Sequence, residues 1–348
     1  MNDEARLGRA FVPRGRLLRS LKPTLVSTGP IEAATRHLVL AYRPEWQSLD
    51  DLNTIARHLQ AAEPSIRTFI LAGTQPNSVS RRAAATRPSL VVSPAPLTGF
   101  RPLRGKVYQG VQIPKLEQLR RLAMGGVAVP RTEVLSAYLR LDPAEWGEFV
   151  VVKPSDLISS SHGRGIQLVP TRRVRHIPPA EYPKGHPGRR APMLVQEFID
   201  TGERLTLYRV LTFFGEPLYC QFMRSREPRV DLKSFDDVIE NAAIANQAVD
   251  EDEFFVGDPD VLATARAADA AMPEVPLKGC DIIREAATGR LYVLEVNPGG
   301  NTWHFSSRFL ADMRQSNGRD FELQRLRQFD AFRTAARVLA ERVRLEAE

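Results

Sequence analysis

The chain has 348 residues, 43% of them hydrophobic and 26% charged, with a net charge of +7. That length allows two or three domains with sizeable cores, and the composition is that of a globular protein rather than a disordered or fibrous one. No run approaches the ~18 apolar residues of a membrane span, and no apolar stretch marks a secretory signal at the N-terminus. The only cysteines, Cys220 and Cys280, lack metal or redox spacing, which fits a reducing, cytoplasmic setting unless the fold pairs them.

Residues 1–34 read as a basic extension: between positions 6 and 22 lie six basic residues and no acidic one, a solvated tail rather than a nucleic-acid site, since no RNA- or DNA-binding motif accompanies it. RHLVLAY (36–42) predicts a strand, and LDDLNTIARHLQAAEP (49–64) a helix with Leu52, Ile55 and Leu59 on one face. IRTFILAG (66–73) and SLVVSP (89–94) predict two more strands. Strand, helix and strand with short apolar strands make a small parallel α/β unit over 35–110. IPKLEQLRRLAMGGVAVPRTEVL predicts a helix stopped by Gly125 and Gly126, then a short extended piece at Pro130.

Strands and loops then alternate: FVVVKP, GIQLV, MLVQEFI, RLTLYRVLTFF and EPLYCQFMR. Residues 171–192 hold six basic residues, one acidic residue and five prolines, a pattern for a long, mobile loop of the kind that often serves as a lid. DPDVLATARAADAAM predicts a helix with Asp258 as N-cap and Pro259 at its first position. CDIIRE and RLYVLEVN predict a strand pair turning at Gly289, and a final helix runs from about 320 to 345.

Chemistry concentrates at three places. FVVVKPSDLISSSHGRG ends a strand in Lys153 and continues in serines and glycines, small residues whose backbone amides can approach an anion while the lysine meets phosphate oxygens. CDIIRE and LYVLEVNPGGNTWHF bring Asp281, Glu295 and Asn297 to neighbouring strands. Simple alternation points Leu291, Val293, Glu295 and Asn297 one way and Tyr292, Leu294 and Val296 the other. Such hard oxygen donors suit Mg²⁺, which binds through one or two carboxylates plus substrate phosphates; structural salt bridges to the abundant arginines are the alternative.

In this order the motifs resemble the ATP-grasp superfamily over residues 110–310. PKLEQLRRLAMGGVAVPRT is similar to its lysine-led helix, turn and strand; VVKPSDLISSSHGRG to its phosphate strand and lid; VQEFID to its adenine hinge; KGCDIIREAATGRLYVLEVNPGG to its paired metal strands. The resemblance extends to glutathione synthetase, D-alanine–D-alanine ligase and ribosomal-protein glutamate ligase without selecting one. It implies an α/β (α+β) fold in which a pre-ATP-grasp unit (35–110) precedes a central lid subdomain (111–192) and a C-terminal subdomain (193–348) that carries the metal strands and the final helix.

The resemblance also implies roles. Lys115 and Lys153 contact the α- and β-phosphates, and Ser160, Ser161, Gly163 and Gly165 line the lid. The hinge residues Glu197, Phe198 and Ile199 bind adenine, and Glu203 or Asp200 the ribose. Asp281, Glu295 and Asn297 hold two Mg²⁺, for which Mn²⁺ can substitute, and Arg209 and Arg224 stabilise the transferring phosphoryl group. The loop at 298–301 borders the acceptor, with Trp303 and His304 just beyond. Three departures stand out: Gly279 occupies a position where some of these ligases carry an arginine, the loop at 171–192 lengthens the spacing between Lys153 and the hinge, and PGGNTWHF replaces a Ser-Pro-Gly type turn.

The implied activity is ATP-dependent joining of a small-molecule or peptide carboxylate to an amine through an acylphosphate, in a cytoplasmic enzyme with no membrane partner that can form homo-oligomers. The alternative is an ATP-grasp kinase that phosphorylates a small acidic or phosphorylated acceptor, which the basic excess would suit.

Overall fold

β-Branched and aliphatic runs place the first strands. β1 (Arg36–Tyr42), β2 (Ile66–Ala72), β3 (Ser89–Ser93) and the short β4 (Lys106–Gln109) form a parallel sheet in the order β2-β1-β3-β4. The computed structural model describes residues 34–155, 165–229, 231–232, 239–240, 251–305 and 320–348. β1 is buried on both faces, as a parallel strand covered by helices must be. Leu38 and Leu40 meet Leu52, Ile55 and Leu59 of α1 (Leu49–Ala62), while Val39 and Ala41 meet Phe69, Leu71 and Ala84 of α2 (Ser78–Ala84). Ser48 caps α1 by accepting from the Asp51 amide at 3.2 Å, satisfying one of the helix's orphan donors.

α3 (Lys115–Met124) precedes a second, antiparallel sheet. Its strands are β5 (Thr132–Val134), β6 (Phe149–Pro154), β7 (Gln167–Pro170), β8 (Met193–Glu197) and, after β9 and β10, β11 (Ile239–Glu240), in the order β11-β7-β6-β8-β5. The four-residue α4 (Pro143–Trp146) buries Trp146 against Val150 and Val195. The third sheet is also antiparallel. It contains β9 (Thr206–Phe213), β10 (Glu216–Ser225), β12 (Glu251–Phe255), β13 (Leu277–Arg284) and β14 (Leu291–Asn297), in the order β12-β10-β9-β13-β14. α5 (Pro259–Ala270), capped by Asp258, packs on this sheet together with α3.

Two boundaries differ from the sequence expectation. Met193–Glu197 pairs with β6 and β5, so the second sheet extends past residue 192. Leu119 and Leu122 of α3 share a core with Val210, Cys280 and Val293, which joins that helix to the third sheet rather than to the lid subdomain. The expected single final helix is broken at Asp330, whose φ is +46; residues 320–327 are helical and α6 (Ala331–Glu346) follows. α6 ties the ends of the molecule together, because Ala335, Leu339 and Val343 share one core with Leu38 and Leu90 of the parallel sheet and Leu211, Leu218 and Tyr219 of the third.

Residues 171–192 contain three single 3₁₀ turns, where a mobile loop was expected. Tyr182 organises them: it is buried, stacks on His186 at 4.5 Å, and covers Gly188, where a side chain would meet its ring at 2.7 Å. Cys220 and Cys280 are free and buried, each in register with Val210 of the intervening strand, so the fold keeps them apart. Among the described residues no helix is long and apolar enough to cross a membrane.

The C-terminus is strapped to β3 and β4. Ser89 and Glu348 exchange backbone hydrogen bonds at 2.8 and 3.1 Å, and Glu346 accepts from Lys106 at 2.9 Å and from Tyr108 and Arg342, each at 2.5 Å. Burial raises the Glu346 carboxyl, but these three donors outweigh it and hold the group down at about 2, from an ordinary 4.5. A depressed carboxylate contributes stability that is present above the unfolded value and lost as pH falls through the folded one. Glu346→Gln should therefore destabilise the protein by about 1–2 kcal/mol at neutral pH, with screening by solvent around Lys106 allowed for. The difference from wild type should shrink from about pH 4.5 and vanish near 2, as denaturant melts across that window would show.

Candidate active site

Three adjacent strands build the centre. Arg209 on β9, Asp281 on β13 and Glu295 on β14 are in direct register, so their side chains stand in a row on one face of the third sheet. Arg209 grips both oxygens of Asp281, at 2.9 and 3.1 Å, the planar fork matching the carboxylate. A bulge makes this row possible. Between Asp281 and Ile282 the register shifts, so that Ile282 pairs with Val293 and Leu294 is the extra residue. Strict alternation therefore fails: Val293 and Val296 enter the same core beside α3 and α5, while Tyr292 and Leu294 pack near Ile199 and Ile283 on the opposite face. Glu295 is released to face Asp281 without breaking the apolar face behind it.

Lys115, the first residue of α3, reaches Glu295 at 3.3 Å. Gln118 fixes that helix end: its side chain accepts from the Val296 amide at 3.1 Å and donates to the Ile113 carbonyl at 2.8 Å. From the second sheet, Lys153 donates to Gln196 at 2.9 Å, and Gln196 in turn donates to Thr132 at 2.8 Å. Burial pulls the Lys153 ammonium down to about 8; Lys115 adds to the fall and Glu295 opposes it. The carboxylates respond in opposite directions. Burial lifts the Asp281 carboxyl above its ordinary range despite Arg209, whereas Lys115 and then Lys153 outweigh burial and hold Glu295 below its range.

Each of the two sheets also carries an apolar cluster. Val151 and Leu168 form one, with Phe149, Ile166 and Phe198 against them; Ile199, Ile283 and Tyr292 form the other, with Leu207 and Leu294. The connector after β8 joins them, since Phe198 packs on the first and Ile199 on the second. The Glu197 amide donates to the Arg131 carbonyl at 2.8 Å, and its side chain accepts from the Arg131 amide. Asp200 pairs with Arg229 at 2.6 Å, and the Glu203 carbonyl accepts from the Arg229 amide at 3.0 Å.

Arg224 stands apart from the others. Gln221 is in register with Arg209, so Arg224, three residues on, points to the opposite face of the sheet, where it pairs with Asp252 at 3.6 Å and lies over Phe254. Ser160, Ser161 and Gly163 lie outside the described residues; Gly165, with φ +73, sits against His186 and Pro187. Asn297 is in register with Gly279. A side chain at 279 would meet Thr302 at 2.6 Å, which explains why this chain carries no arginine there. Trp303 is 1% exposed and belongs to the core joining α6 to both sheets, not to a substrate surface.

A polar group that the sequence does not reveal lies next to Arg209. Arg325, itself 1% exposed, donates to the His304 carbonyl at 2.8 Å and to Gln221 at 3.3 Å, and Tyr219 meets the His304 ring at 3.3 Å. Burial, then Arg209 and Arg325, push His304 down to about 3, so its imidazole is neutral. Arg325 lies in what the sequence shows only as part of the final helix, so no sequence signal announced it.

Among the described residues no group of three or more His, Cys, Asp or Glu side chains forms a metal cage. Asp281 and Glu295 stand side by side across the ladder, engaged by Arg209 and Lys115; hard oxygen donors of this kind, with Asn297 two residues on, are the chemistry that suits a hard cation.

No protein-family model matches the sequence, and no curated protein matches it. Solved structures do. The chain is similar in fold to ATP-grasp ligases. D-cycloserine synthetase DcsG aligns at a TM-score of 0.45 and 16% identity, over 88% of this chain and 99% of that one. The ATP-grasp ligase PsnB, complexed with precursor peptide PsnA2 and AMPPNP, aligns at 0.47 and 14%, over 88% and 98%. D-alanine–D-alanine ligase from Bacillus anthracis aligns at 0.42 and 14%, over 88% and 99%.

Proposed function

We propose that this chain is an ATP-dependent ligase of the ATP-grasp type, joining a carboxylate to an amine. The observation that carries the reading is the row Arg209, Asp281 and Glu295 on one sheet, met by Lys115 from α3 and by the buried Lys153 of the second sheet. The lysines and the arginine suit phosphate oxygens, and the apolar residues about Phe198 and Ile199 suit a flat base. Asp281, Glu295 and Asn297 would hold Mg²⁺, which when bound neutralises phosphate charge.

The chain's own groups do the rest. Lys115 and Lys153 hold the phosphate oxygens and offset the repulsion between ATP and an anionic acceptor. Arg209, fixed by Asp281, faces the charge that spreads over the phosphoryl group in transit. The acceptor carboxylate forms a bond to the γ-phosphorus as the bond to ADP breaks. An amine then attacks the acyl carbon, the bond to phosphate breaks, and the amine loses a proton. Exclusion of water protects the intermediate.

The test is trapping. A panel of amino acids, small peptides and other carboxylates is incubated with ATP, Mg²⁺ and hydroxylamine, which stands in for the amine. Hydroxamate with ADP release supports the ligase. A stable phosphate ester on an alcohol, without hydroxamate, replaces it by the kinase.

Lys153 supplies a pH signature. Its lowered value leaves the ammonium charged at neutral pH and discharges it as pH rises through about 8. ADP affinity should fall by about tenfold between neutral pH and a point well above that value, and Lys153→Arg, charged throughout, should flatten the profile in calorimetric titrations.

A further inference from the structure

In an open parallel sheet, ligands usually enter the crevice at the carboxyl ends of the strands, where the strand order reverses. Here the order reverses between β1 and β3. The chain itself fills that crevice. Gln47, beyond the end of β1, donates from its Nε2 to the Gly300 carbonyl at 2.8 Å. Pro94, just after β3, lies against Gly300, where an added Cβ would stand 2.3 Å from the Pro94 carbonyl oxygen. Gly300 has φ +86, a conformation that favours glycine. The Val111 amide donates to the Pro298 carbonyl at 3.0 Å, and the Trp303 indole donates to Asp51 of α1 at 2.8 Å. Gln47 is 2% exposed, and its oxygen accepts from the Arg43 amide at 2.9 Å, so both ends of its carboxamide are engaged.

We infer that the N-terminal unit is a brace rather than a ligand pocket, and that Gln47 is a positioning residue which holds Gly300 and thereby orients Asn297 at the end of β14. The inference rests on the metal reading of Asp281, Glu295 and Asn297 given above. Its physical basis is that Asn297 is the last residue of its strand and is followed by Pro298 and two glycines. The ladder to Gly279 holds Asn297 on one side; on the other, glycines do not restrain a backbone, so the turn that follows Asn297 depends on the outside grips of Val111 on Pro298 and of Gln47 on Gly300. Displacement of a ligand by about 1 Å is enough to loosen a site.

The test uses the full chain and Mn²⁺ as probe, counted by electron paramagnetic resonance with saturating AMPPNP. Gln47→Leu removes both hydrogen bonds. Gln47→Glu keeps the shape and the acceptor for Arg43 but loses the donor to Gly300, and it serves if the leucine variant does not fold. The brace predicts that AMPPNP affinity stays close to wild type while the melting temperature falls by about a few degrees, because buried polar groups lose their partners. The weaker Mn²⁺ affinity should fall at least about tenfold, and kcat should fall with little change in the KM for ATP. Wild type that takes up Mn²⁺ while both folded variants match it overturns the brace alone. Wild type that binds AMPPNP but no Mn²⁺ overturns the metal reading and the inference with it.

Discussion

Glu295→Gln should abolish turnover, by at least about a thousandfold, and leave the fold intact. Glu295 is the point where three elements meet: it stands beside Asp281 across the ladder, accepts Lys115 from α3, and faces Lys153 from the second sheet. Glutamine keeps the shape but removes the charge that orders the two lysines and the negative oxygen a cation needs. The structural cost is small, because loss of the partner for Lys115 is offset by relief of Asp281 from a like charge. Steady-state ATP turnover, set beside a thermal melt within a few degrees of wild type, checks both halves. Near-normal turnover would show that the row of charges is structural.

Trp303→Ala should destabilise the protein by about 3–5 kcal/mol. Trp303 is 1% exposed, lies edge-on to Phe305 at 5.1 Å, is stacked on Phe332 at 6.3 Å, and donates to Asp51. It shares its core with β1, β3 and β10 residues, so the cavity opens at the seam between the parallel sheet and the third sheet. Trp303→Phe separates the contributions: it keeps most of the ring and loses the hydrogen bond, at about 1–2 kcal/mol. Urea unfolding of both variants measures this. An alanine variant as stable as wild type, with impaired use of the acceptor only, would place Trp303 at the substrate rather than in the core.

The sequence placed Trp303 only as following the 298–301 loop, and its burial was not legible there. Alternation and apolar runs located β1, β2, β3 and the β13 and β14 pair, because those signals are local and the turn at Gly289, φ +74, has a local cause. Asp281 and Glu295 were legible as neighbours for the same reason. The Leu294 bulge was not, since a single extra residue leaves no mark in a strand pattern, and it reverses which side Val296 faces. Arg224 was misplaced by parity relative to Gln221, a matter of register. The affiliations of β8 and α3 depend on partners distant in sequence. Arg325 and Gln47 become functional candidates only when a carbonyl more than a dozen residues away arrives to meet them.

Nucleotide binding between the second and third sheets is the claim on which the rest depends. Calorimetric titration of AMPPNP in the presence of Mg²⁺, for wild type and Lys153→Met, tests it most directly. The account predicts that wild type takes up one nucleotide per chain and that the methionine variant, folded to the same melting temperature, binds at least about thirtyfold more weakly. Absence of binding by wild type, or equal affinity in the two proteins, would contradict it.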